Sequence, residues 1–249
     1  MRPAGSAGAA WAAVRGDTRA WAHGYGPARE GALVNAPEEV PGTGPVPGPY
    51  PPPPWHLKGH LWGGLFPAES VPAPPPDLSR LLPRTLAVFL IRYRAGTLRY
   101  DELIVGTPVR RGRRAGLYVQ WIWVDDERSL WGGRRIWGVP KRLAEFRWDG
   151  SRVRVTGGEG PVAVLDVTTK LPSLPRIPLP MTGFGSLDGA RTVATARFSA
   201  RPAAASLRVA EWPARLPALR RADARIRFAA TSFDMLMPAP ARYPAPTAT

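Results

Sequence analysis

The sequence predicts a mainly β protein, built as an antiparallel sandwich or barrel. Short runs rich in β-branched and aromatic residues recur along the chain, such as TLAVFLIRY at 85–93 and GLYVQWIWVD at 116–125. Turn pairs such as Asp149-Gly150 and Gly157-Gly158 separate these runs. Segments with helical periodicity are sparse, and a hydrophobic content of 44% is enough for a packed core. Many short strands at close spacing are typical of these two architectures.

The composition changes sharply near residue 46. Residues 1–46 mix Ala, Gly, Pro and Arg without periodicity, and we expect a disordered arm there. The polyproline-like segment 45–54 leads to Trp55, where we expect order to begin. One β domain is therefore predicted over residues 47–245.

Each element of that domain follows from a local pattern. Strands are predicted at 57–66, 85–93, 98–109, 116–125, 144–148, 152–156, 162–168, 192–200, 205–211 and 225–237. Short helices are predicted at 126–131 and 140–145. The proline-rich segment 72–83 predicts little regular structure beyond a short helical turn near 78–82. A Rossmann domain is not expected, because Gly183-Phe184-Gly185 lacks a third glycine and a following helix.

The charge is strongly basic, with a formal net value of +15. This makes nucleic-acid binding an alternative to be tested. The arginines are scattered through predicted strands and loops, and no basic helix or repeat collects them. The cluster at 110–114 contains a glycine and predicts an exposed hairpin tip. We therefore expect no sequence-specific nucleic-acid partner.

The residue types also exclude several classes of site. Without cysteine, the chain has no disulfides, thiol catalysis or zinc–thiolate sites. The three histidines are His23, His56 and His60. The segment that contains His56 and His60 has no aspartate or glutamate before Glu69, so no metal site is expected. No stretch approaches the roughly 20 apolar residues of a membrane helix. No secretory signal is visible. We expect a cytoplasmic protein without a membrane partner, metal or cofactor.

Lysine is rare in this chain, and its position is therefore informative. Of 34 basic residues, only Lys58, Lys141 and Lys170 are lysines. Arginine stays charged, whereas a buried lysine can become neutral and attack a carbonyl. Lys141 follows the segment WGVP and precedes Arg142. The alternative reading is a surface lysine in a turn.

A nucleophilic Lys141 requires an unusual environment. A lysine with an ordinary pKa of about 10.4 is less than about 0.1% neutral at pH 7. To lower this pKa to about 7, the site must destabilise the charged form relative to the neutral amine by roughly 4–5 kcal/mol. We expect desolvation to supply most of this and the like charge of Arg142 to add less. The expected wall of the site is Trp137, Val139, Pro140, Trp121 and Trp123.

Four segments occur in an order that can be compared with known families. They are PWHLKG at 54–59, Tyr100-Asp101-Glu102, Asp125-Asp126 followed by Gly132-Gly133-Arg134, and WGVPKR at 137–142. This order resembles the acetoacetate decarboxylase family, in which Tyr-X-Glu precedes an Asp-containing turn, Gly-Arg-Glu and Pro-Lys-Lys. The resemblance covers about residues 55–146 and continues more weakly to 243. It implies a cone- or barrel-like β domain.

The resemblance also implies roles for the matching residues. Lys141 matches the lysine that forms a Schiff base with the substrate ketone. Arg142 matches the second, non-covalent lysine, and Glu102 matches the active-site glutamate of the Tyr-X-Glu segment. The candidate catalytic residues are Lys141, Glu102 and Arg142. The candidate substrate-binding residues are Lys58, Arg134, Trp137 and His60.

Two departures from the family's pattern leave the reaction open. Arg135 stands where the family has the Glu of Gly-Arg-Glu, and the region near Leu90, where a second active-site glutamate would align, is apolar. The first expectation is a Schiff-base-forming lyase that decarboxylates a β-keto acid. The alternatives are an imine-forming aldolase or dehydratase on the same scaffold, and a non-catalytic ligand- or nucleic-acid-binding β protein. The expected partners are a small keto acid and further copies of the chain in a homo-oligomer.

Overall fold

The fold is mainly β, as predicted. The structure is a computed structural model that describes residues 48–170 and 174–244, so the arm predicted over 1–46 lies outside the described residues. Within these residues the strands are β1 (Trp55–Pro67), β2 (Ser79–Arg80), β3 (Thr85–Gly96), β4 (Tyr100–Arg111), β5 (Arg114–Val124), β6 (Lys141–Asp149), β7 (Arg152–Gly157), β8 (Gly160–Thr169), β9 (Ile177–Leu187), β10 (Ala190–Ala203), β11 (Ala205–Glu211), β12 (Ile226–Met237) and β13 (Ala241–Pro244).

Helical structure in the described ranges is confined to one segment between β5 and β6. It consists of α1 (Glu127–Gly132), followed directly by a π-helical turn (Gly133–Trp137). The helix predicted at 126–131 is therefore confirmed, with Asp126 as its N-cap. No helix in the described part of the chain is both long and apolar enough to cross a membrane.

Seven of the described strands close into a barrel. The hydrogen-bonded order is β5–β9–β10–β12–β1–β3–β4, and β4 pairs again with β5 to complete the ring. The predicted antiparallel pairing holds around most of the ring, but β5 runs parallel to β9. The strand β5 also pairs in parallel with β6, from which β7, β8 and β11 continue as a sheet outside the ring.

The core is divided between the inside and the outside of the barrel. On β3, Ile91 and Tyr93 belong to the inner apolar cluster, together with residues of β1, β10 and β12. The alternate residues Val88 and Leu90 belong to an outer cluster shared with β7 and β8. Both faces of β3 are thus buried, which explains its nearly continuous apolar sequence.

Several local predictions are corrected. The helix predicted at 140–145 is wrong, because Lys141 starts strand β6, whose burial alternates with period two and which pairs with β7. The helical turn predicted near 78–82 is wrong, because Ser79 and Arg80 pair with β4. The long strand β9 was not predicted, since prolines and glycines interrupt its pattern. The predicted hairpin tip at 110–114 is confirmed, with Gly112 at φ +57° between β4 and β5.

Candidate active site

Lys141 is the buried centre of a hydrogen-bonded group of side chains. It is the first residue of β6 and is 5% exposed. Its Nζ donates to Glu102 Oε2 at 2.7 Å and to Ser129 Oγ at 2.8 Å. The same ammonium lies 5.1 Å from the centre of the Tyr100 ring, within the range of a cation–π contact. The amine is therefore held from three directions.

Glu102 is equally buried, and both of its oxygens are engaged. While Oε2 accepts from Lys141, Oε1 accepts from the Tyr93 hydroxyl at 3.0 Å. The Tyr93 and Tyr100 rings pack with their centres 4.4 Å apart. Burial, reinforced by the charge of Glu102, raises the pKa of both phenols well above their ordinary value. Both tyrosines therefore remain protonated at neutral pH, and Tyr93 donates a hydrogen bond from its hydroxyl to the carboxylate.

The β3–β4 hairpin brings these groups onto one face. Tyr93 lies directly opposite Tyr100, and Ile91 lies opposite Glu102. Directly opposed residues in an antiparallel pair project on the same side, and diagonal neighbours remain within reach of long side chains. Tyr93 is the diagonal neighbour of Glu102, so the hydrogen bond between them follows from the register of the hairpin.

The helix α1 supplies the third contact to Lys141. Asp126 caps it, with Oδ1 accepting from the Ser129 backbone N–H at 2.9 Å. Burial opposes ionisation of Asp126, but hydrogen bonds from Arg128 and from the Ser129 backbone outweigh it and lower the pKa of this carboxyl. The cap is therefore charged at neutral pH. It fixes the first turn of the helix, where the Ser129 side chain is fully buried against Lys141.

Two glycines allow the helical segment to lie this close to the site. A Cβ at Gly132 would overlap the Trp55 indole. A Cβ at Gly133 would overlap Lys141 Cδ and lie 2.6 Å from Cε. The segment then ends at Gly138, whose φ of +63° is favourable for glycine. Gly132 thus leaves room for Trp55, and Gly133 leaves room for the lysine side chain to reach Glu102.

Arg134 and Trp137, both predicted substrate-binding residues, lie next to Lys141 in the fold. Arg134 Nε donates to the backbone oxygen of Lys141 at 2.7 Å. Trp137 is buried, packs edge-on against Trp55 at 4.6 Å, and donates its indole N–H to Pro238 O at 2.9 Å. Arg134 thus supports the position of Lys141, and the binding of either residue to a substrate stays a prediction.

The structure does not bring Lys58 and His60 to Lys141. Both are exposed, on the face of β1 opposite to the buried Leu57 and Leu61. Lys58 Nζ instead forms an ion pair with Asp234 at 3.2 Å. His60 lies near Arg92 and Arg94, and partial burial together with these charges lowers its pKa. Through the alternation of β1, Lys58 and His60 lie on the other face from the buried group, and their binding to a substrate stays a prediction.

Arg142 is also directed away from the amine. Its Nη1 contacts Glu159 Oε1 at 3.2 Å, on the side of β6 opposite to Lys141. The expected aromatic wall is corrected in the same way, because Trp121 and Trp123 belong to the outer core cluster. Adjacent strand residues point to opposite faces, and the sequence did not show which face was the inner one. The aromatic residues that contact the Lys141–Glu102 pair are Tyr93 and Tyr100.

Sequence reasoning missed Tyr93 and Ser129. A signal for Tyr93 was present, since counting back across the predicted Ala-Gly turn places it opposite Tyr100. For Ser129 the only signal was its place in the first turn after an Asp N-cap. Its approach to Lys141 depends on the Gly-Gly pair and on the parallel pairing of β5 with β6.

The site contains one carboxylate for one amine. Among the described residues, Glu102 is the only buried glutamate, and the buried aspartate Asp101 is bonded to Arg92 and Trp148. The inner positions of β3 around Leu90 are apolar or tyrosine, in agreement with the missing second glutamate. No buried side-chain polar atom in the described part of the chain lacks a hydrogen-bond partner.

The residues of this site lie within a segment that is similar to a known family. The family model described as acetoacetate decarboxylase matches residues 73–178, a span that includes Tyr93, Glu102, Ser129 and Lys141. Over this span the chain is similar to the acetoacetate decarboxylase family. A search of the curated proteins found no match.

Solved structures of family proteins share the fold. Acetoacetate decarboxylase from Legionella pneumophila superposes with a TM-score of 0.59 at 17% identity, covering 90% of this chain and 100% of that one. The enduracididine biosynthesis enzyme MppR, complexed with pyruvate, gives 0.58 at 12% identity, with 77% and 91% covered. An acetoacetate decarboxylase-like enzyme from Sphingomonas wittichii gives 0.52 at 12%, with 77% and 93% covered.

Proposed function

We propose that this protein is a Schiff-base-forming lyase that decarboxylates a β-keto acid through an imine on Lys141. The observation that carries the proposal is the buried amine of Lys141, 2.7 Å from a buried carboxylate and walled by two tyrosines. Such an amine needs only a nearby proton acceptor to become a nucleophile, and Glu102 is that acceptor.

The first step is a proton transfer within the buried pair. Lys141 must lose a proton before it attacks, and Glu102 Oε2 is already hydrogen-bonded to it. Starting from the ion pair, desolvation favours this transfer, because a neutral amine beside a neutral carboxylic acid needs less solvation than two charges. Ser129 Oγ keeps Nζ in place during the transfer, and Tyr93 holds Oε1 so that Oε2 stays directed at the amine.

The covalent cycle starts from the neutral amine of Lys141. The neutral amine adds to the ketone carbon, and the carbinolamine loses water to give a protonated imine. The bond to the carboxylate carbon breaks, CO2 leaves, and its electron pair moves into the imine to form an enamine. The enamine carbon takes up a proton, and water releases the ketone and restores the Lys141 amine. The net reaction consumes one proton for each CO2 released.

Glu102 is suited to return protons in this cycle. After it has taken the amine proton, it is a carboxylic acid that contacts the Tyr93 hydroxyl and lies beside the reacting nitrogen. Microscopic reversibility allows the same group to donate during dehydration and enamine protonation. Because the described site offers no second glutamate, one carboxyl must serve several proton transfers.

That single carboxyl also supports a second candidate, an imine-forming aldolase or dehydratase. A site with one carboxyl must accept and donate protons in a different way from a site with two. An enamine can also form a carbon–carbon bond without the loss of a carboxylate. The related fold of MppR has been solved with pyruvate and with the condensation product of pyruvate and imidazole 4-carboxaldehyde. In this chain, the same imine on Lys141 would give an enamine from pyruvate by loss of a methyl proton.

Product analysis separates the candidates. Purified protein is incubated with acetoacetate and larger β-keto acids while CO2 is measured, and in parallel with pyruvate plus an aldehyde while condensation is followed by mass spectrometry. The proposal predicts CO2 release that is abolished in Lys141→Arg and retained in Lys170→Arg, whose lysine is at the exposed end of β8. Condensation without CO2 release would favour the second candidate. CO2 release that survives in Lys141→Arg would contradict both.

A further inference from the structure

A cleft of about 330 Å³ lies beside the start of β6, outside the group formed by Lys141, Glu102 and Ser129. Elements distant in sequence meet there: the end of β5, α1, the π-helical turn, the start of β6, the β7–β8 turn and the segment after β11. The Lys141 side chain does not line it. Its volume matches that of small-molecule sites in proteins.

The described lining of the cleft is rich in arginine. Three guanidinium groups, from Arg134, Arg142 and Arg215, line it, together with one carboxylate from Glu159. They come from three separate elements, so their convergence is a property of the fold and not of a basic run in the sequence. Converging arginines in a cleft are the usual receptors for carboxylate and phosphate groups.

The carboxylate already present binds weakly. Glu159 is 65% exposed and contacts only one nitrogen of Arg142, at 3.2 and 3.3 Å. An exposed pair of this kind contributes little to stability, so a better oxyanion can replace it. Arg215 is half-buried and has no ion pair with any described residue.

The rest of the lining is apolar. Trp123 and Leu130 lie at the inner side of the cleft, and Leu143, although 43% exposed, borders it. A purely ionic site would not need an apolar floor, whereas an aryl or alkyl group would bury area against it.

We propose that this cleft binds a small organic oxyanion, a carboxylate or phosphate attached to an apolar group, at a site separate from Lys141. Arg142 and Arg215 hold the oxyanion, and the apolar group rests against Trp123 and Leu143. Arg134 borders the cleft and also donates a hydrogen bond to the Lys141 backbone oxygen. A bound ligand that contacts Arg134 is therefore linked through this side chain to the strand that carries the amine. The site does not depend on the proposed reaction.

Titration calorimetry on the full chain tests the site without measuring activity. The probes are phenyl phosphate, benzoate, inorganic phosphate and phenol, at low ionic strength. Saturable binding is expected for phenyl phosphate or benzoate, weaker binding for inorganic phosphate, and none for phenol. The Arg215→Gln variant should weaken binding by tenfold or more, on the order expected for losing charge-assisted hydrogen bonds.

The matched control is Arg220→Gln, an exposed arginine of the same segment outside the cleft, which removes the same charge. It should bind like the wild type. Equal losses in both variants would mean non-specific attraction to a basic surface and would overturn the proposal. So would the absence of saturable binding of any organic oxyanion at millimolar concentration, or tighter binding of phenol than of phenyl phosphate.

Discussion

At the scale of single residues, the pairing of Lys141 with Glu102 determines both stability and chemistry. Their side chains are 7% and 4% exposed, so each charge depends on the other for compensation. A buried ion pair contributes little net stability, but removal of one partner leaves an uncompensated charge and costs about 3–5 kcal/mol. The same pair is the proton couple of the proposed reaction.

This predicts a strongly non-additive mutant cycle. Glu102→Gln leaves the Lys141 ammonium without a counter-charge and should lower the free energy of unfolding by about 3 kcal/mol or more. Lys141→Met leaves the Glu102 carboxylate with only the Tyr93 hydroxyl, and should have a similar cost. The double variant buries no charge at this position and should be more stable than Glu102→Gln.

Urea denaturation of the four proteins at pH 7 measures the cycle. If the double variant loses the sum of the two single effects, the groups do not interact as the 2.7 Å contact requires.

At the scale of elements, the helical segment between β5 and β6 positions the amine. Asp126 starts it, Ser129 contacts Lys141, Gly133 leaves space for the lysine side chain, and Gly138 ends it. Because Gly133 has an ordinary right-handed helical conformation, alanine is allowed there by the backbone and favoured by helix propensity. Any effect of a methyl group at this position must therefore act through its neighbours.

Gly133→Ala is predicted to impair imine formation by tenfold or more while keeping the fold, because its Cβ displaces Cδ and Cε of Lys141. Circular dichroism and thermal unfolding report the fold, and trapping with a keto acid and borohydride reports the amine. Gly158→Ala is the control, since no atom lies within 4 Å of the added Cβ there. Unchanged trapping in Gly133→Ala would show that the helix does not constrain the lysine.

The sequence located the elements of this region but not the faces on which their side chains lie. Period-two patterns and turn residues located most strands and the capped helix, and the order of motifs located Lys141 and Glu102. The face on which each strand residue lies was not accessible, because β3 and β5 are apolar on both sides. The structure places Lys58, His60 and Trp123 on faces away from the Lys141–Glu102 pair. Ser129 was missed because its contact joins α1 to the start of β6, and sequence spacing does not show how these two elements pack.

At the scale of the whole described chain, a buried charge cluster connects the proline-rich segment to the barrel. Asp77 lies between β1 and β2 and accepts from Arg191 of β10 at 3.1 Å and from Arg111 of β4 at 3.3 Å. The side chains of Asp77 and Arg191 are 7% and 5% exposed. Burial opposes ionisation of Asp77, but the hydrogen bonds and charges of the two arginines outweigh it and lower its pKa.

The lowered pKa predicts the direction of a pH effect. A carboxyl with a lower pKa in the folded state stabilises the fold above the ordinary value of 3.8, and this contribution is lost as the pH falls through the folded value. Asp77→Asn should therefore lower the free energy of unfolding by about 3 kcal/mol at pH 7 and nearly as much at pH 5. The difference from wild type should shrink below about pH 4.

Urea unfolding at several pH values measures this difference. The control is Asp188→Asn, at an exposed turn where Asp188 contacts Arg242 at 3.6 Å, and it should change stability little at any pH. If the loss of unfolding free energy in Asp77→Asn grew toward acid pH, it would contradict a lowered pKa of Asp77 in the folded state.

Borohydride trapping shows whether Lys141 forms an imine with a keto acid. The protein is treated with acetoacetate and sodium borohydride, digested and analysed by mass spectrometry. We expect one stable adduct, on the peptide that contains Lys141, and its loss in Lys141→Arg but not in Lys58→Arg or Lys170→Arg. An adduct on Lys58 or Lys170, or one that persists in folded Lys141→Arg, would contradict imine formation on Lys141.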